Sequence, residues 1–125
     1  MDIFFQDPNE IPLPPAEVRI LELRAEPWPD KQRVRVYLEL TPFQKRPNAE
    51  VNIHDPQGNQ VSTISVLEAI SRKMEFTMHL YVSHPGTEYK VSADIYYTDP
   101  PSEQNGESTL PEPIFVDRAE TIFTL

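Results

Sequence analysis

A chain of 125 residues accommodates one domain of ordinary size and leaves no room for two. Its formal charge of −9 opposes nucleic acid and anionic membranes, so neither is expected as a partner. The absence of cysteine excludes disulfides, thiolate chemistry and cysteine-ligated metals, and 14 prolines against 3 glycines favour extended segments over long helices.

Residues 1–16 read as a proline-rich N-terminal extension to a domain spanning 17–125. The start Met1-Asp2-Ile3-Phe4-Phe5-Gln6-Asp7 has no basic region followed by an apolar run. If Met1 is the native start, a cytoplasmic product is expected. No stretch approaches the roughly 20 apolar residues that span a bilayer. Ile11-Pro12-Leu13-Pro14-Pro15 should be extended and cannot lie in a central strand, because proline donates nothing to a ladder. Phe4 and Phe5 stand out as large apolar residues in this segment and are candidates for contact with a partner.

From Glu17 the hydrophobic period becomes two. Val18 and Ile20 share one phase, whereas Leu21, Leu23 and Ala25 share the other. Such a slip is the mark of a bulge or of a strand changing sheets. Pro27-Trp28-Pro29-Asp30 ends this first strand. The second strand alternates cleanly, with Val34, Val36, Leu38 and Leu40 on one face and Arg33, Arg35, Tyr37 and Glu39 on the other. A loop with Pro47-Asn48 leads to a short third strand around Val51 and Ile53, closed by the turn sequence Asp55-Pro56-Gln57-Gly58-Asn59. The fourth, from Val61 to Leu67, is rich in Ser, Thr and Val and reads as an edge strand. Glu68–Arg72 suits a helical turn or a loop.

Met74, Phe76, Met78 and Leu80 define the inner face of a fifth strand, and Tyr89, Val91, Ala93, Ile95 and Tyr97 that of a sixth. Residues 99–113 form a long, acidic, proline-rich loop before a seventh strand over 114–125. Seven strands with frequent turns and no repeat predict an all-β fold, a seven-stranded antiparallel β-sandwich.

Pro85-Gly86-Thr87-Glu88-Tyr89-Lys90-Val91 resembles the turn entering strand F of immunoglobulin-like and fibronectin type III-like domains. The resemblance implies that Tyr89 is the tyrosine whose hydroxyl bonds back to the preceding corner. It places Val91 where antibody domains carry a cysteine, with Val36 or Leu38 facing it, so the pin between sheets is aliphatic. The tryptophan of strand C is missing, since Val51 and Ile53 fill that strand. The likeness is therefore to cysteine-free members of the group, and it implies an immunoglobulin-like binding or spacer module.

No catalytic constellation emerges. His54, His79 and His84 lack ligand spacing, and His54 and His79 should lie on the outer faces of different sheets, so no metal is expected. Asp99, Glu103, Glu107 and Glu112 lack the dense ligand alternation of a calcium loop. Ser83-His84 are sequence neighbours that point apart on extended backbone. No cofactor fingerprint is present.

Tyr37 and Tyr81 should lie outward beside Arg33, Arg35 and Lys73, a combination frequent at protein contacts. The favoured reading is a solvated face stabilised by cross-strand pairs, with Glu39 and Glu75 supplying the opposite charge. Trp28, between two prolines, is expected to cap one end of the core. The expected function is a non-catalytic protein-interaction or structural module, its partner another protein or another copy of itself. The alternative is a carbohydrate-binding domain using Trp28, Tyr96 and Tyr37.

Overall fold

The structure, a computed structural model, describes residues 11–81, 84–98 and 112–125. Phe4, Phe5, Ser83 and residues 99–111 of the acidic loop lie outside the described residues. The strands are β1 (Ile20–Pro27), β2 (Arg33–Leu40), β3 (Asn48–His54), β4 (Gln60–Val66), β5 (Lys73–His79), β6 (Glu88–Thr98) and β7 (Pro113–Thr124). They form a three-stranded sheet ordered β1-β2-β5 and a four-stranded sheet ordered β4-β3-β6-β7, with every pairing antiparallel. This is the seven-stranded β-sandwich that the alternation predicts.

The core follows from one apolar face per strand. Val34, Val36, Leu38 and Leu40 of β2 are buried while Arg33, Arg35, Tyr37 and Glu39 between them remain half-buried. Ala49, Val51 and Ile53 of β3 and Tyr89, Val91, Ala93, Ile95 and Tyr97 of β6 meet them from the other sheet. Each large aliphatic side chain removed from water contributes about 1.5–3 kcal/mol.

Phe76, although on the inner face of its strand, is only half-buried. It lies on β5, an edge strand paired only with β2, so one flank has no neighbouring strand to cover it. Met78 on the same strand is buried.

The phase slip in the first strand is a bulge. Ile20 pairs with Leu40 and Glu22 with Glu39, which leaves Leu21 unpaired and its side chain exposed. Residues 17–19 precede the strand, Pro15–Glu17 forming a 3-10 turn before Val18 enters the core. The third strand begins at Asn48, not after it: Pro47 and Asn48 are buried, and Asn48 pairs with Tyr96 of β6. A Pro-Asn pair has turn chemistry, and its burial by flanking strands leaves no trace in the local sequence. Glu68–Arg72 forms bends without a helix, and the Asn48 side-chain oxygen accepts from the Glu68 N–H at 2.8 Å. Within the extension, Leu13 makes an isolated parallel bridge to Phe43.

Tyr89 is 1% exposed and stacks on Phe123 with ring centroids 5.4 Å apart. Its hydroxyl accepts a hydrogen bond from the backbone N–H of His84, five residues upstream, at 3.3 Å. Gly86 between them has φ +84°, a conformation that glycine adopts without strain.

Leu38→Ala should lower stability by about 3 kcal/mol or more in urea unfolding. Phe76→Ala, although it removes a larger side chain, should cost less than Leu38→Ala because its site already opens to solvent. Tyr89→Phe removes the acceptor for the His84 N–H while keeping the ring, and should cost about 1 kcal/mol.

Candidate functional site: the open side of the sandwich

The sandwich has two lateral sides where the edges of its sheets meet. At β1 and β7 they are joined. The Asp117 carboxylate accepts the Ile20 N–H at 2.8 Å, a donor on the outer edge of β1. The Arg19 guanidinium donates to the Val18 carbonyl at 2.7 Å, the Ala16 carbonyl at 3.0 Å and the Val116 carbonyl at 3.4 Å. These bonds occupy backbone groups that an incoming strand would need.

At β4 and β5 the edges are open: among the described residues neither strand has a second strand partner. A cleft of about 300 Å³ lies between them, lined by Val61, Thr63, Ile64, Met78, His79 and Tyr81. Edge strands usually carry charge that discourages pairing. Glu22, Arg24 and Glu26 serve on β1, Lys73 and Glu75 on β5, and Asp117, Arg118 and Glu120 on β7. The β4 sequence Gln-Val-Ser-Thr-Ile-Ser-Val has no charged residue and no proline. Val61, Ile64 and Val66 are half-buried, and Leu67 beyond them is 72% exposed.

β4 is held on its other flank by β3. The β3–β4 turn is organised by Asp55, whose carboxylate accepts the backbone N–H of Gln57 at 3.0 Å and of Asn59 at 2.8 Å, and the Asn59 side-chain amide at 3.2 Å. Desolvation pushes the Asp55 carboxyl up, but these donors and the Gly58 N–H outweigh it and hold it below the ordinary carboxylate range. Further along, the Thr63 hydroxyl donates to the Asn52 side-chain oxygen at 2.6 Å.

The sequence-predicted residues are dispersed. Tyr81 is 92% exposed just beyond β5 and belongs to the open cleft. Tyr37 lies on the outer face of the three-stranded sheet, with the Arg24 guanidinium 4.3 Å above its ring and Arg35 Nη1 3.4 Å from its hydroxyl. Arg35 is also ion-paired to Glu75 at 3.1 Å. Trp28 does not cap the core. It lies on the same outer face, with Arg33 4.0 Å and Arg35 5.2 Å from its ring. Asp30, 2.8 Å from Arg33 Nε, orients the first of these guanidiniums. Cation–π attraction to these two guanidiniums holds the indole against β2.

Tyr96 faces out from the opposite sheet, 5.6 Å from Phe115 and tilted by 45°. His54 and His79 lie on different sheets, as their alternation indicates. Among the described residues no group of three or more His, Asp or Glu is placed to hold a metal ion, and no helix is long and apolar enough to cross a membrane. What sequence reading misses is the conjunction of two free edges. A charge-free strand is visible in the sequence, but its neighbour across the cleft is not.

No family model matches the chain, and no curated protein matches it. Solved structures do. A glycosyl hydrolase family 2 (GH2) member from Bacteroides cellulosilyticus DSM 14838 superposes with TM-score 0.57 at 11% identity, over 86% of this chain and 15% of that one. A β-glucuronidase from Bifidobacterium dentium gives TM-score 0.57 at 13% identity, over 89% and 19%. An FMN-binding β-glucuronidase from Facaelibacterium prausnitzii L2-6 gives TM-score 0.53 at 11% identity, over 82% and 14%. The chain thus spans less than a fifth of the length of each of these proteins, and at such identities the likeness is one of fold.

The lowered Asp55 pKa sets the sign of a pH effect. A carboxylate depressed in the folded state stabilises fully above the ordinary carboxylate range and loses that contribution as the pH falls below it. Thermal unfolding should therefore show Asp55→Ala less stable than the parent chain at neutral pH, with the gap closing on acidification.

Proposed function

We propose that the chain is a non-catalytic interaction module, an immunoglobulin-like or fibronectin type III-like sandwich that binds a protein through its open β4/β5 side. The carrying observation is the neutral β4 edge, free among the described residues beside a second free edge, while the opposite side of the sandwich is joined by Arg19 and Asp117. A free strand edge offers a row of backbone donors and acceptors, and an extended segment that pairs with it gains main-chain hydrogen bonds and side-chain contacts together. The cleft behind β4 supplies apolar lining from Val61, Ile64 and Met78, and Tyr81 at its mouth supplies a large amphipathic contact. The order of the strands and the bond from Tyr89 to the His84 backbone support the superfamily assignment.

The carbohydrate-binding alternative draws on the glycosidases among the structural neighbours and requires a shared aromatic platform. Trp28 and Tyr37 are covered by guanidinium groups on one sheet, and Tyr96 belongs to the other. That arrangement favours the protein-binding reading.

Ser65 is exposed on β4 and pairs with Glu50 of β3, so Ser65→Lys places a cation where the fold tolerates it and edge pairing does not. The variant should unfold at an unchanged temperature. In affinity capture from the source cell and in solution mass, it should lose the associations that the parent chain makes. Identical behaviour of the two chains in both measurements would defeat the reading.

A further inference from the structure

We infer that the segment received by β4 is the β4 strand of a second copy, the two pairing antiparallel across a two-fold axis to join their four-stranded sheets into one. The inference rests on the interaction reading above and names its partner. Two-fold symmetry obliges a strand to meet its own sequence reversed. In most strands that condition restricts the register, because charges must avoid their own kind. From Gln60 to Val66 there is no charge to avoid, so β4 meets its copy in any register without electrostatic cost. The other edge strands, β1, β5 and β7, each carry charges that limit such pairing.

The whole-chain charge points the same way. Copies bearing −9 repel, and association is easiest where the touching surface is neutral and the remaining charges stand apart. A neutral edge also offers no electrostatic handle by which a charged partner could be selected. Pairing would cover the exposed parts of Val61, Ile64 and Val66 and bring Leu67, fully outside the ladder, against the neighbouring copy. Ser62, Thr63 and Ser65 supply hydroxyls short enough to let the backbones approach, and β-branched residues suit the pleat.

Sedimentation equilibrium of the full chain from micromolar to millimolar concentration, combined with amide hydrogen exchange, tests this. A matched control is Thr124→Lys, which adds the same charge at an exposed site on edge strand β7, opposite Glu88 as Ser65 is opposite Glu50. The expected result is a monomer–dimer equilibrium in the parent and in Thr124→Lys, weakened about tenfold by Ser65→Lys. Exchange of β4 amides should slow as concentration rises in the first two chains, and the dimer should tighten with added salt, which screens the repulsion between copies. A chain monomeric throughout, a dimer indifferent to Ser65→Lys, or one that salt loosens would overturn the inference. If the chain is monomeric and Ser65→Lys still abolishes capture of a foreign protein, the interaction reading stands and only the second copy is wrong.

Discussion

Two sheets without a covalent link must be held by the fit of one apolar face against another, and the rest of this structure depends on that contact. β2 and β6 supply most of it: Val34, Val36, Leu38 and Leu40 from one, and Tyr89, Val91, Ala93, Ile95 and Tyr97 from the other. Both are internal strands, so their inner faces are covered by neighbours on each flank. β5 shows the contrast. Its inward side chains have a neighbour on one flank only, and Phe76 remains partly wet although it is among the largest apolar groups in the chain.

A sandwich built this way has an edge problem at each lateral side, and the chain treats its two sides differently. On one, the outward Ile20 N–H of edge strand β1 is taken up by Asp117, while Arg19 spans to the Val116 carbonyl. On the other, β4 and β5 leave a cleft between them, and β4, the strand with the most accommodating sequence, has no strand partner on its outer flank among the described residues. The many exposed ion pairs, such as Arg24 with Glu22 and Glu26, contribute little to stability individually. Their more important effect is on pairing, since charge on an edge strand discourages association and β4 carries none.

The features legible in the sequence are those whose cause is local. Alternation in β2 and β6 identifies inward faces because one strand with one buried face must alternate. The slip between Ile20 and Leu21 reveals the bulge, and the Ser, Thr and Val content of β4 reveals an edge. The features that escape have distant causes. Arg19 donates to the Val116 carbonyl and Asp117 accepts from the Ile20 N–H, each across 97 residues, and neither has a sequence signature that marks a clasp. Asn48 and Asn52 are buried polar residues on the outward positions of β3, which weakens the apolar signal of a strand that is in fact internal. Trp28 looks like a core plug from its size and its prolines, and only the arginines brought beside it by β2 place it outside. The open side itself is a relation between β4 and β5, which belong to different sheets.

The position of Trp28 gives the molecule a built-in optical reporter. It is the single tryptophan of the chain, and its indole lies beneath two guanidiniums at one end of the three-stranded sheet. Its emission therefore depends on whether Arg33 and Arg35 remain in place, which in turn depends on the β1–β2 hairpin. The strands of the other sheet contribute tyrosines but no indole. Loosening of one sheet and loosening of the other consequently have separate spectral signatures, so the order in which the two halves of the sandwich come apart can be followed without attaching a dye.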